Sequence, residues 1–350
     1  NLLAFSALTS ETLGEKRIKS NDEIITVAAG FPTTVAPIIH NGCVPVYLDV
    51  ELDTANIDIK NLKKSLTNRT KAVFLAHTLG NPFNLNAITS FCKEHNLYLI
   101  EDCCDAFGSK YNNQTVGSFG DLATLSFYPA HHITTGEGGA VLYNKFKYKR
   151  LVESFRDWGR DCYCETGMSN TCRKRFDWQL GELPKGYDHK FIYTHVGYNM
   201  KMTDIQAALG FSQVQKVQKF IKKRKENFKY LHSKFIENEL DNYFILPRCY
   251  QESEPSWYGY LITIKDNINF DRKTLIDFLE SKKILTRLLF AGNLTKQPGF
   301  INKKHKVVGN LNNTDKIMRD SLWLGVWPGL DRTHLDFIVE TIKQFIFNNK

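Results

Sequence analysis

Short runs of apolar and β-branched residues recur through the first two hundred positions, and stretches with helical spacing separate them. Glu23–Val27, Val44–Asp49, Ala72–Ala76, Leu97–Glu101, Ala123–Phe127 and Gly139–Tyr143 read as strands. Leu85–Asn96 reads as a helix entered through Asn84. Strands alternating with helices predict an α/β fold: a mostly parallel sheet with helices on both faces. Ligands bind beyond the carboxyl ends of the strands in such sheets. Glu101-Asp102 and Tyr128–His132 both fall at such ends, so one pocket is expected to hold them.

The pattern changes after that. Cys162 to Thr194 has little apolar periodicity and reads as a long functional loop. Met202 to about Glu237 reads as one long helix bridging to a second domain. Tyr258–Lys265 as a strand, with Asp271–Ser281 and Asp331–Phe347 as helices, suits a smaller C-terminal α+β domain. The expected division is 1–205 for the large domain and 206–350 for the bridging helix and small domain. No repeat or low-complexity segment is visible.

Composition narrows the function classes. A chain of 350 residues suits about two domains, and no segment approaches the ~20 apolar residues of a membrane span. The net charge of +9 is spread along the chain. Its densest run, Lys222-Lys223-Arg224-Lys225, falls in a helical pattern and reads as a solvated face. No nucleic-acid partner is therefore expected; an anionic small substrate, such as a nucleotide sugar, suits the basic bias. Eight cysteines without a visible export signal argue against a disulfide framework and for a cytoplasmic location. Cys43, Cys92, Cys103 and Cys249 read as buried apolar residues, whereas clustered thiols point to metal or redox work. The opening Asn1-Leu2-Leu3-Ala4-Phe5 reads as a helix interior, so further chain before it is expected.

Several motifs occur in one order: Glu101-Asp102, Ser126-Phe127-Tyr128-Pro129, Thr134-Thr135-Gly136-Glu137-Gly138-Gly139, Gly197 to Met202, and Asp204 to Gly210. This order resembles the DegT/DnrJ/EryC1/StrS family of sugar aminotransferases, vitamin B6 enzymes of the aspartate aminotransferase fold (fold type I). The resemblance spans essentially the whole chain. In ordinary members of that family, position 131 is the lysine that joins pyridoxal phosphate covalently. Here it is His131. The exchange resembles the dehydratase branch, whose pyridoxamine phosphate is held without a covalent bond. An imidazole cannot replace that amine, but it is a competent general base near neutral pH. The plainer alternative for His131 is a buried, hydrogen-bonded histidine. His132, without motif support, is expected to be structural or to orient substrate.

The resemblance implies roles for other residues. Asp102 would accept the cofactor's pyridinium proton, though it could instead cap a helix. Phe31 would stack on the ring or simply pack in the core. Ser126 would touch the phosphate, and Gly136–Gly139 would let backbone approach it or form an ordinary turn. Asn199 would reach a neighbouring subunit's site, which implies a homodimer or larger homo-oligomer with shared active sites; a buried structural amide is the alternative. Asp105 and Tyr128 fit the dehydratase branch, since aminotransferases usually carry His or Gln at position 105; otherwise they lie back from the site. Gly292–Pro298 would contact the sugar or form a turn. The family's main phosphate cradle is expected immediately before Leu2.

Cys162, Cys164 and Cys172 form a C-x-C-x7-C pattern, and Cys104 sits two residues past Asp102. The set resembles the iron–sulfur members of the branch, which carry a 2Fe-2S cluster and act on CDP-4-keto-6-deoxy-D-glucose on the route to 3,6-dideoxyhexoses of lipopolysaccharide. Zinc suits C-x-C spacing poorly, and unligated thiols are the remaining alternative. The implied function is pyridoxamine-phosphate-dependent 3-dehydration of a nucleotide-linked 4-keto-6-deoxyhexose, with electrons from a separate reductase. The competing readings are a cluster-free dehydratase, a lysine-dependent aminotransferase and a non-catalytic regulatory or scaffold protein.

Overall fold

The computed structural model describes residues 1–165 and 167–349. Thr166, inside the expected loop 162–194, and Lys350, the last residue of the expected second domain, lie outside the described residues. The helices are α1 Leu2–Ala7, α2 Pro32–His40, α3 Leu85–Glu94, α4 Phe146–Arg156, α5 Asp204–Val214, α6 Val217–Glu237, α7 Arg272–Ser281, α8 Asn312–Asp320 and α9 Arg332–Asn348. The strands are β1 Glu23–Val27, β2 Val44–Leu48, β3 Thr70–Ala76, β4 Tyr98–Asp102, β5 Lys110–Tyr111, β6 Gln114–Thr115, β7 Leu122–Ser126, β8 Gly139–Tyr143, β9 Phe244–Ile245, β10 Ser253–Glu254, β11 Gly259–Ile264, β12 Lys306–Val307 and β13 Ser321–Gly325.

The main sheet has seven strands in the order β12-β2-β1-β3-β4-β7-β8. Its pairs are parallel except β7 with β8, which run antiparallel. Every residue of β1, β2 and β4 is buried, as a sheet covered on both faces requires. Phe5 of α1, Ile38 of α2 and Leu151 of α4 pack with Phe74 and Ile100 on one face. Ile88 and Phe91 of α3 pack with Val73 and Leu75 on the other. The α3 start has the expected cap: Asn84 Oδ1 accepts from the Ala87 amide at 3.0 Å. Asn84→Ala is expected to cost about 1 kcal/mol, read as a lower denaturant midpoint at unchanged slope.

The second sheet, β13-β11-β9, is antiparallel. Phe235 of α6, Leu275 of α7 and Ile342 of α9 bury against Tyr260 and Ile262 on it.

Three expectations need correction. Met202–Glu237 is two helices, not one, broken at Gln215-Lys216. In α6 the residues Val217, Ile221, Phe228, Leu231 and Phe235 form one buried stripe. Helix α5 has no buried residue, and Ile205 and Phe211 are exposed. Continuous apolar content hid two helices whose faces do not share one phase. Second, Arg224 is not part of a solvated face: it belongs to the buried stripe and is 3% exposed. Third, Cys249 is only half-buried, at the margin of the second core. Strand β12, in the C-terminal region, went unread in the sequence and pairs with β2 at the edge of the main sheet. Two residues are too short to leave a period.

Candidate active site

Strand β4 ends in Glu101 and Asp102, and alternation sends their side chains to opposite faces. Glu101 is sealed in. Its Oε1 accepts from the amides of Phe119 at 2.9 Å and Gly120 at 2.7 Å. Its Oε2 accepts from the Gly117 amide at 2.8 Å and meets His77 Nε2 at 3.1 Å. Burial by itself would push this carboxyl up, but His77 and the glycine amides bring it below the ordinary value. Asp102 faces the ligand side. Its Oδ2 accepts from Thr34 Oγ1 at 2.7 Å and Asn1 Nδ2 at 2.8 Å, and its Oδ1 from the Cys104 amide at 3.1 Å. Burial opposes ionisation here too, yet the Cys104 and Thr34 hydrogen bonds leave the pKa lowered. The result is a buried, anionic acceptor at a strand end.

Strand β7 delivers the second half of the site. Ser126 Oγ accepts from the Tyr128 amide at 3.2 Å, and the His131 amide donates to the Tyr128 carbonyl at 2.9 Å. This turn aims His131 at Asp105, with Nε2 3.4 Å from Oδ1. The ring meets Tyr128 edge-on at 5.7 Å and Tyr258 edge-on at 5.2 Å. Its Nδ1 is buried with no partner among the described residues. Burial raises the Asp105 carboxyl, His131 partly offsets this, and the charge of Asp102 adds to the rise. Asp105 thus links the two strand ends. His132 is buried, and its Nε2 donates to the Ser256 carbonyl at 2.7 Å. Burial and the charge of Arg224 push it down to about 3, so it stays neutral and structural.

Tyr258 was not anticipated. It precedes β11, far along the chain, and burial with the nearby Asp105 charge pushes its phenol up to about 12. As the first residue of the expected strand Tyr258–Lys265 it carries no sign of a site; only the fold brings it to His131.

A pyridine-ring cofactor is absent from the structure, but the residues fit one. Asp102 offers a buried anionic acceptor for a ring N–H. Phe31, at the start of α2, is half exposed and held edge-on by Phe290 at 5.7 Å. Ser126, Thr124 and Cys104 line a cavity of about 890 Å³ with Gly138 and Gly139. Gly138 has φ +156°, and a Cβ there would strike the Thr135 hydroxyl, so the turn requires glycine. The segment around Leu294 docks beside Phe31, its amide donating to the Ala28 carbonyl at 3.0 Å. Asn199 is exposed and its Oδ1 accepts from Lys201 at 2.9 Å; it makes no hydrogen bond to Asp102, Asp105 or His131.

Of the four thiols, three lie on the loop. Cys162 is raised by burial and interacts with Cys164 and Cys172. Cys164 is lowered to about 7, first by the Thr171 hydroxyl, whose oxygen lies 3.1 Å away. Cys172 faces the buried His189, which pairs with Asp161 at 2.6 Å. Cys104 stands apart beside Thr124 and Asp102, and burial with the Asp102 charge raises it strongly. Among the described residues, three potential metal ligands lie mutually within 4.8 Å only at His77, Glu101 and Cys103. There the Glu101 oxygens are already saturated.

The model of the DegT/DnrJ/EryC1/StrS aminotransferase family matches residues 6–343. The chain belongs to that family. It is 53% identical over 345 residues to the lipopolysaccharide biosynthesis protein RfbH of Salmonella typhimurium, covering 99% of this chain and 78% of that one. It is 50% identical over 346 residues to dTDP-4-dehydro-2,6-dideoxy-D-glucose 3-dehydratase of Saccharopolyspora spinosa, covering 99% and 74%. The E. coli GDP-4-keto-6-deoxy-D-mannose-3-dehydratase, solved with bound hydrated PLP, superposes with a TM-score of 0.85 at 28% identity, covering 97% of this chain and 84% of that one. The fold is thus the PLP-dependent aminotransferase-like α/β fold. This family member is an enzyme of a PLP-dependent group that includes nucleotide-sugar 3-dehydratases. No described helix is long and apolar enough to cross a membrane.

Proposed function

We propose that this family member catalyses 3-dehydration of a nucleotide-linked 4-keto-6-deoxyhexose, using pyridoxamine phosphate held non-covalently by Asp102, Phe31 and Ser126. The observation that carries the reading is His131 at the family's lysine position, facing Asp105 at 3.4 Å. When bound, the cofactor supplies an amine for the sugar's keto group and an electron-withdrawing ring. Asp102 keeps a proton on the ring nitrogen. Asp105 accepts from Nε2 of His131, which fixes the tautomer and leaves Nδ1 as the basic atom. Tyr128 and Tyr258 hold the imidazole edge-on so that it cannot swing away. His131 then takes a proton next to the ring as the 3-hydroxyl leaves.

CDP-4-keto-6-deoxy-D-glucose, on a route to 3,6-dideoxyhexoses, is the substrate within this reading. The relatives named for dTDP and GDP sugars support the class rather than the nucleotide. The reading includes a homodimer in which Asn199, exposed on one chain, completes the partner's site.

A 2Fe-2S cluster on Cys104, Cys162, Cys164 and Cys172, fed by a separate reductase, belongs to the same reading. The C-x-C-x7-C spacing, with Cys162, Cys164 and Cys172 on one loop, supports it. Cys104 lies 4.0 Å from Thr124 Oγ1, and no step is routed through a cluster. The second reading is a cluster-free dehydratase whose cofactor amine is regenerated by an amine donor such as glutamate. Iron and sulfide analysis with an absorption spectrum of the anaerobically purified protein separates the two. Two irons per chain with a reduced-amine cofactor band are expected for the first reading. The cofactor band without iron selects the second, and a band from a lysine-bound cofactor would overturn both.

A further inference from the structure

Residues 193–201 run antiparallel to the end of α4 and the turn after it, with bridges from Tyr193 to Arg160 and from Asn199 to Asp157. The amides of Thr194 and His195 donate to the Gly159 carbonyl at 2.9 and 3.2 Å. The Tyr198 amide donates to the Phe155 carbonyl at 2.6 Å and the Met200 amide to that of Arg156 at 3.1 Å. Gly159 and Gly197 let the two backbones touch. A Cβ on Gly159, at φ +84°, would strike the His195 carbonyl oxygen, and one on Gly197 would strike the Gly159 amide. Through these backbone bonds the strip has one neighbour, the end of α4.

His195 gives it a second. Its Nδ1 meets Ser154 Oγ on α4 at 2.8 Å, and its Nε2 meets Ser10 Oγ, from the segment after α1, at 2.8 Å. Both serines are buried, and the ring leans on Phe155 with centroids 4.5 Å apart. Burial lowers the imidazole's pKa against the charges of Asp161 and Glu11, so the ring is neutral. A neutral imidazole needs one acceptor and one donor, and two hydroxyls supply both. With both nitrogens engaged, the ring serves to hold rather than to transfer protons. What it holds ends at the site. Met200 and Met202 line the cavity of about 890 Å³ together with Ser126 and Cys104. Asn199 is exposed beside them, and Lys201, which donates to its Oδ1 at 2.9 Å, lies over the Trp158 ring at 3.3 Å.

We propose that His195 is a positioning residue: by bridging Ser10 and Ser154 it holds the strip so that Asn199 faces outward in the one orientation that completes the partner's site. This role rests on the shared-site reading of Asn199 and adds what fixes that residue in place. An amide on a loosely held strip loses conformational freedom when it docks, and that loss is subtracted from binding. A strip already pinned on two sides has little left to lose.

The test is a double-mutant cycle on cofactor binding, read without turnover as the dissociation constant of pyridoxamine phosphate by equilibrium dialysis. N199A is expected to weaken binding by about tenfold, the scale of one hydrogen bond. H195A is expected to weaken it by about threefold to tenfold, and S154A, which removes one of the two contacts, by less. H195Q, which keeps an amide within reach of Ser10, is expected to recover most of the affinity. Circular dichroism checks the folding of each variant, and S154A decides the outcome if H195A does not fold. In the N199A background neither H195A nor S154A is expected to weaken binding further, because residues that act through one contact are not additive. Losses that add in that background, or wild-type affinity in both H195A and S154A, overturn the positioning role and leave the shared site standing. Wild-type affinity in N199A overturns the shared site, and the positioning role falls with it.

Discussion

His131→Asn is expected to lower the proposed dehydration by about 10²–10⁴-fold, the usual contribution of a positioned general base, while leaving the protein folded. Asparagine can still donate to Asp105, so the turn from Ser126 to His131 keeps its shape. What it lacks is a basic nitrogen, since an amide has no counterpart of the unpartnered Nδ1. The measurement is single-turnover dehydration at saturating nucleotide sugar, beside circular dichroism and cofactor content. Retained cofactor with lost turnover places the defect in proton transfer. Turnover within a factor of about three of the wild type would remove the imidazole from the chemistry, because so small a change lies below any general-base contribution.

Glu101→Ala is the largest stability defect expected, at about 3–5 kcal/mol, because it leaves several buried donors unsatisfied at about 1–3 kcal/mol each. Three backbone amides and the His77 imidazole converge on this carboxylate. Alanine strands all of them in a dry site. Glu101→Gln keeps the volume but turns an NH₂ toward donors; it is expected to cost about 1–3 kcal/mol, the penalty of unsatisfied buried groups. Denaturant unfolding with an unchanged slope checks both. A midpoint shift equivalent to less than about 1 kcal/mol for the alanine variant, the size of an ordinary surface substitution or little more, would mean that the loop at Gly117–Gly120 is held by something else.

Local periodicity carried much of this architecture. The strands that make up the main sheet's centre were legible because each is buried on both faces and so is apolar along its whole length. Asp102, the last residue of β4, and His131, in the turn after β7, stood out because each falls inside an ordered set of motifs. Their link through Asp105 is a tertiary contact, and Tyr258 joins it across more than a hundred residues, so no short-range pattern contains it. Arg224 was hidden for the opposite reason. Its neighbours in sequence are lysines on the outside of the helix, and a run of charge reads as solvated whichever member points inward. The gap between Met202 and Glu237 was invisible because no proline or glycine marks Gln215-Lys216; the break follows from where each helix finds its packing partner.

The pairing of β12 with β2 has a consequence for synthesis. Residues 44–48 wait for residues 306–307 before the sheet margin is covered. Until Lys306–Val307 has emerged from the ribosome, β2 presents a bare hydrogen-bonding edge to the cell. The nascent polypeptide therefore carries an open strand edge for the whole interval between β2 and β12, a window for chaperone capture or premature self-association.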